Sequence, residues 1–164
     1  MSVRVLTSVV GGSAVTGGDG RPNVNPSDLS DVVAEASVAD ADVARDAIAA
    51  ASEAFGSWSR TTPWQRSEIL DRAGTEVLAR ADELGDLLAR EEGKTLPEAR
   101  GEVVRAGQVL KYFSGVPLQP HGLALDSVRP GVDITVTRAP VGVVGPRLGH
   151  VGHEARDADA RAGQ

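Results

Sequence analysis

Residues 88–103 read LAREEGKTLPEARGEV, and the choice on which the fold turns lies in their Gly93-Lys94-Thr95. Gly-Lys-Thr closes a phosphate-binding loop, in which a glycine-rich turn between a buried strand and a helix N-terminus points successive backbone N–H groups at one phosphate. That loop also requires a glycine five positions before Gly93, where this chain has Leu88. A helix rather than a strand arrives at Gly93, because Leu84, Leu87 and Leu88 fall at helical spacing between Asp82 and Glu92. Gly93 then suits the left-handed C-terminal cap of that helix. Thr95 suits the N-cap of the next one, with Pro97 tolerated in the first turn and Glu98 at the capping-box position. The tripeptide is expected to join two helices and to bind no nucleotide.

Outward from this joint the helical period continues on both sides. Val103, Ala106 and Leu110 share a face of a helix expected to end near Ser114-Gly115. Upstream, Thr62-Pro63-Trp64-Gln65 is a capping box with proline at the first helical position, followed by a stripe of Ile69, Leu70, Ala73, Val77 and Leu78. Before that, Val43, Ala47, Ala50 or Ala51, and Ala54 mark one face of an alanine-rich helix running from Asp40 to Phe55-Gly56. At the N-terminus, Leu6–Val10 and Ser13–Thr16 flank Gly11-Gly12 as a hairpin, Gly17-Gly18-Asp19-Gly20 forms a second turn, and Arg21–Pro26 is an extended crossing. After Gly131 the period becomes that of strands. Val132, Ile134 and Val136 alternate as in an exposed or edge strand, and Val141–Val144 is apolar throughout, as in a strand buried on both faces. Beyond Gly145, PRLGHVGHEARDADARAGQ has few large apolar residues and no period, the composition of a disordered or weakly helical tail.

Composition narrows the function. The 164 residues suffice for one domain with a core, and 41% hydrophobic content is ordinary, but only 3% is aromatic, so the core must rest on Ala, Val and Leu. A formal net charge of −6 and an isoelectric point near 5.0 argue against nucleic acid or an anionic membrane as partner. The absence of cysteine removes disulfides, thiolate metal sites and thiol catalysis. No apolar run approaches the ~18 residues of a membrane span, and without a signal-type N-terminus the expected compartment is the cytoplasm.

Other candidate sites are weak. His150, His153 and Glu154, with Asp157 and Asp159 nearby, could supply two imidazoles and a carboxylate to zinc. The order His-x-x-His-Glu is not that of a zinc hydrolase, and Gly149 and Gly152 weaken any helix there. Gly142, Gly145, Gly149 and Gly152 do not have dinucleotide-loop spacing. Ser114-Gly115 is not a nucleophile elbow, and the histidines are His121, His150 and His153 alone.

Taken in order, the Asn25-Pro26 start, the alanine-rich helix ending at Phe55 and Trp58, Glu91-Glu92-Gly93-Lys94, and Arg138-Ala139-Pro140-Val141-Gly142-Val143-Val144-Gly145 resemble the N-terminal part of the aldehyde dehydrogenase superfamily. The resemblance spans about residues 5 to 145. Its SVRPGVDITVTRAPVGVVG stretch looks most like bacterial members acting on semialdehydes of sugar-acid and dicarboxylate catabolism. The resemblance implies an incomplete α/β fold: an N-terminal β-hairpin, a helical segment, then orphan strands of the oligomerisation and dinucleotide-binding sheets. Residues 1–145 would be family domain and 146–164 a non-family tail. The family oxidises aldehydes with NAD or NADP, a cysteine thiolate attacking the aldehyde before hydride leaves to the nicotinamide. Its catalytic cysteine, base glutamate, oxyanion-hole asparagine and nucleotide contacts would all follow Gly145, where Pro146-Arg147-Leu148 replaces the family's Pro-Trp-Asn-Phe-Pro continuation. No catalytic, cofactor-binding or metal residue is therefore assigned within this chain, and no cofactor is expected to bind it alone. The change after Gly145 reads as a frameshift or gene-model break with an out-of-frame tail; the alternative is a non-catalytic helical module that binds a partner protein. Family members form homo-oligomers, whereas this chain, lacking partners for Val132–Thr137 and Val141–Val144, is expected to aggregate.

Overall fold

The computed structural model describes residues 4–145. Five short strands come first: β1 (Val5–Leu6), β2 (Ser8–Val10), β3 (Ser13–Val15), β4 (Gly20–Val24) and β5 (Val32–Ser37). Helices α1 (Ala41–Trp58), α2 (Pro63–Ala79), α3 (Ala81–Glu92) and α4 (Leu96–Ser114) follow, then a 3-10 turn at Val116–Leu118 and strands β6 (Leu123–Asp126) and β7 (Asp133–Val136). Among the described residues no helix is long and apolar enough to cross a membrane.

The expected hairpin is β2 and β3, with Val10 opposite Ser13, but Leu6, expected in its first strand, belongs to β1 and pairs with Ala36 instead. Gly11 and Gly12 have φ of 57° and 83°, and a two-residue turn of this hand needs positive φ at both positions. The extended crossing at Arg21–Pro26 overlaps strand β4, which begins at Gly20 of the expected second turn and runs antiparallel to β5, Gly20 opposite Ser37. β4 lies at the edge of the order β1-β5-β4, where the missing N–H of Pro22 is tolerated. The central strand, β5, has no counterpart in the sequence reading. It carries Val33 and Ala34, adjacent residues on opposite faces and both buried, because β1 pairs with it in parallel on one side and α3 packs against it.

α1 begins at Asp40, whose carboxylate accepts from the N–H groups of Asp42 and Val43 at 2.9 Å each. Its half-buried face is Val43, Ala47, Ala50 and Phe55, so Ala50 rather than Ala51 continues the stripe, and Ala54 is exposed. α2 begins with both halves of the expected box: the Gln65 N–H donates to Thr62 Oγ1 at 3.2 Å and the Thr62 N–H to Gln65 Oε1 at 2.9 Å.

The helical core lies where α4 crosses α2 and α3, and its buried residues are small: Gly74, Gly85, Ala99, Val103, Gly107 and Ser114. Two expected core positions are displaced by this. Ala106 is exposed and Gly107 takes its place facing α2; Ile69 is 42% exposed and Gly74 faces α4 instead. Glycines at these positions let the two backbones meet. A Cβ on Gly74 would lie 3.0 Å from the Gly107 carbonyl oxygen, and one on Gly107 would lie 2.7 Å from Leu78 Cγ.

One expectation about the C-terminal strands changes. Val132–Thr137 does find a partner within this chain: β7 pairs antiparallel with β6, Leu123 opposite Val136, because the turn at Gly131 (φ 74°) folds the segment back on itself. Val141–Val144, apolar throughout and expected to lack partners in this chain, pairs with no described strand, and Val141 and Val144 are 98% and 71% exposed. A strand of that type needs neighbours on both edges.

Replacing Gly107 by valine should lower stability by roughly 1–3 kcal/mol, the cost of overpacking a close contact. Urea unfolding followed by circular dichroism would show it as a lower midpoint at unchanged slope.

Candidate functional site

The joint between α3 and α4 carries the densest polar network. Gly93 has φ 70° and its N–H donates to the Ala89 carbonyl at 2.8 Å, the left-handed cap expected from sequence. It is also a point of close approach, since a Cβ there would meet Ser27 Oγ at 3.1 Å and Pro26 Cβ at 3.2 Å. The Ser27 hydroxyl donates to the Gly93 carbonyl at 3.3 Å. Thr95 is extended and donates to the Glu98 carboxylate through its hydroxyl at 2.7 Å and its N–H at 3.3 Å. Those two bonds hold the Glu98 carboxyl below its ordinary range.

Lys94 decides what the joint can bind. Its Nζ lies 2.9 and 2.8 Å from the two Glu102 oxygens and contacts Glu92 as well. The hydrogen bonds to Glu102, then to Glu92, raise its pKa. A phosphate loop needs a lysine aimed at phosphate and a helix N-terminus free of negative charge. Here the lysine is matched by two carboxylates and Glu98 sits in the first turn of α4. The residues present do not fit a nucleotide pyrophosphate.

The loop before β5 is clamped to the same joint. Arg90 donates to both Asp31 oxygens, from Nε at 2.9 Å and Nη2 at 2.6 Å, a bidentate pair. Asn25 Nδ2 donates to Asp31 at 3.1 Å while Asn25 Oδ1 accepts from the Ser27 N–H at 2.9 Å. Asn23 reaches Glu91 at 3.0 Å. The Arg90 bonds, then the Asn25 bond, lower the Asp31 pKa to about 2. Of these residues, Asn25 and Glu91 stood out in the sequence only as parts of the family pattern, and Arg90 and Asp31 did not stand out at all.

The remaining candidates resolve plainly. Ser114 is buried and its hydroxyl donates to the Lys111 carbonyl at 2.6 Å, so it presents no nucleophile. His121 Nε2 lies 2.8 Å from the Pro117 carbonyl oxygen. Gly142 and Gly145 belong to the unpaired segment, and His150, His153, Glu154, Asp157 and Asp159 lie outside the described residues. Among the described residues no group of three or more His, Asp or Glu could hold a metal ion. A cleft of 320 Å³ at the α1–α2 junction is lined by Phe55, Trp58, Ser59, Arg66, Pro140 and Gly142. It offers no acid–base pair, and its Arg66 already donates to the Thr61 carbonyl at 2.5 Å.

The sequence model described as "Aldehyde dehydrogenase family" matches residues 15–146. The chain belongs to the aldehyde dehydrogenase family. It is 34% identical over 121 residues to the alpha-ketoglutaric semialdehyde dehydrogenase of Bacillus subtilis, an alignment covering 74% of this chain and 25% of that protein. With the alpha-ketoglutarate semialdehyde dehydrogenase of Haloferax volcanii it shares 38% over 119 residues, 73% of this chain and 25% of the relative. Betaine aldehyde dehydrogenase from Staphylococcus aureus, solved in complex with NAD+, superposes with a TM-score of 0.77 at 26% identity, over 82% of this chain and 28% of that one. The chain thus spans about a quarter of the length of these relatives.

Replacing Thr95 by alanine should cost on the order of 1 kcal/mol, read by urea unfolding, and calorimetry with ATP should show no binding. The Asp31–Arg90 pair gives a pH signature. Because the folded pKa is lowered from 3.8 to about 2, its stabilisation is present above 3.8 and is lost as pH falls toward 2. Asp31→Asn should therefore be less stable than the parent at neutral pH, and the two thermal midpoints should converge across that acid window.

Proposed function

We propose that this chain serves an NAD(P)-dependent oxidoreductase that converts an aldehyde, of the dicarboxylate semialdehyde class, to a carboxylic acid, and that it supplies scaffold rather than reacting groups. The observation that carries the proposal is the family match over residues 15–146, joined to the commitment of Arg90, Lys94 and Ser114, among the described residues, to bonds that hold the fold. The semialdehyde class is supported by the relatives from Bacillus subtilis and Haloferax volcanii, whose names specify such substrates. Oxidation by the family's route requires a thiolate nucleophile, and these 164 residues contain no cysteine. NAD(P) is assigned to the family; the glycine joint of this chain, with Lys94 held by Glu92 and Glu102, offers it no seat.

The purified 164-residue chain, incubated with succinic, malonic and α-ketoglutaric semialdehydes and either NAD or NADP, should produce no reduced nicotinamide above a protein-free control. Absorbance at the reduced-nicotinamide band measures this directly. Turnover that persists through successive purification steps would overturn the proposal.

A further inference from the structure

Asp19-Gly20 is the one place in the chain where an Asp or Asn precedes a glycine; every other Asp and Asn precedes a residue that carries a side chain. Such a dipeptide can react with itself. A glycine nitrogen, unshielded by a Cβ, can reach the carboxyl carbon of the preceding aspartate and close a five-membered ring. The structure leaves both partners open. Asp19 is exposed in the bend between β3 and β4, whereas Asp28, Asp31 and Asp40 each accept hydrogen bonds that hold their carboxylates. Gly20 opens β4 and is exposed as well. Its nitrogen is free of the ladder for a reason visible two residues on. Main-chain bonds in an antiparallel pair alternate along the strand. Pro22 has no N–H to give, so the doubly bonded pair is Arg21 with Ala36 opposite it. Gly20 and Pro22 therefore turn their nitrogens the same way, away from β5 and toward the open edge of the order β1-β5-β4.

We infer that Asp19-Gly20 is a self-modification site, at which the chain converts to its isoaspartyl form and loosens the start of β4. In the first step the Gly20 nitrogen bonds to the Asp19 carboxyl carbon, a carbon–oxygen bond of that carboxyl breaks, and the oxygen departs as water with the amide proton. The product is a cyclic imide. Solvent water then opens the ring. Addition at the side-chain carbonyl restores aspartate; addition at the main-chain carbonyl leaves the chain running through the side-chain carbon, with a free α-carboxylate beside it. The isoaspartyl form adds one methylene to the main chain, and the flanking contacts leave no slack for it. The Gly17 N–H donates to Ser37 Oγ at 2.7 Å and the Gly18 N–H to the Val38 carbonyl at 2.9 Å, while Gly20 lies opposite Ser37. A Cβ on Gly17 would fall 2.2 Å from the Val38 carbonyl oxygen, so the two backbones already touch. The extra methylene must displace either these glycine anchors or the Arg21–Ala36 pair. Farther along, Asn23 stays tied to Glu91 at 3.0 Å, which confines the loosening to the head of β4.

The test incubates the full chain in mildly acidic water enriched in heavy oxygen and then digests it. The peptide carrying residue 19 should gain the label, and a protease that cleaves before aspartate should progressively fail there while still cleaving at Asp28 and Asp126. Gly20→Ala should slow both changes several-fold. That variant keeps the fold, because the φ of Gly20 is not positive and nothing lies within 4 Å of the added Cβ. Asp19→Ser should abolish both changes. In the converted chain, separated by ion exchange, the amides of Gly17, Gly18 and Arg21 should exchange faster while those of α2, α3 and α4 are unchanged. Three results would overturn the inference: undiminished cleavage before residue 19, label entering other aspartates or the Gly20→Ala variant equally fast, or unaltered exchange at those three amides after conversion.

Discussion

The close crossing of α2 and α4 at Gly74 and Gly107 sets the terms for everything the helices do. With aromatic residues scarce, the chain cannot fill a wide gap between helices with large side chains, so it brings backbones together instead and gains dispersion contact from main chain against main chain. The same device recurs where α3 meets α4, with a Cβ on Gly85 falling 2.6 Å from Arg100 Cγ. Once the helices are this close, polar side chains at the rim can bridge them. Lys111 on α4 reaches Asp71 at 2.7 Å and Thr75 at 2.6 Å on α2. Exposed bridges of this kind add little individually, and their effect here is to fix the rotation of one helix against the other.

From that rotation follows the position of the α3–α4 joint, and from the joint the position of the sheet. Arg90 and Glu91, at the end of α3, hold Asp31 and Asn23, while Gly93 receives Pro26 and Ser27. The tripeptide that resembles a phosphate loop is thus a mounting point between helices and sheet. Its lysine neutralises two glutamates that would otherwise repel across the joint. The likeness to a nucleotide motif comes from a shared backbone need, glycine before a helix start, while the surrounding charges set the opposite preference.

Much of this was legible in the sequence because it is local. The two-glycine hairpin, the helix start at Asp40, the Thr62 and Gly93 caps and the helix end at Ser114 each follow from residues within a few positions of one another. What escaped depends on contacts distant in sequence. β5 reads as Val-Val-Ala-Glu-Ala-Ser, with too little alternation to mark a strand, and it becomes central only because β1 and β4 flank it. Ala106 looked like core by period and hydrophobicity, yet a glycine one position later is buried, since close backbone approach rewards the absence of a side chain. β6 escaped because Leu123-Ala124-Leu125-Asp126 takes its strand character from pairing with β7. The candidate site was read correctly as a joint, but the Asp31–Arg90 clamp spans 59 residues and carries no motif.

The parallel pairing of β1 with β5 has a kinetic consequence. α2, α3 and α4 are consecutive, so their contacts close short loops and can form early. β1 cannot join the sheet until β5 has been placed, and β5 is held by bonds that reach from Asp31 to Arg90, with Asn23 joined to Glu91 across 68 residues. By the same argument the β2–β3 hairpin, closed at Gly11 and Gly12, can form without the helices, whereas the parallel β1–β5 pairing closes a loop of roughly thirty residues between Leu6 and Ala36.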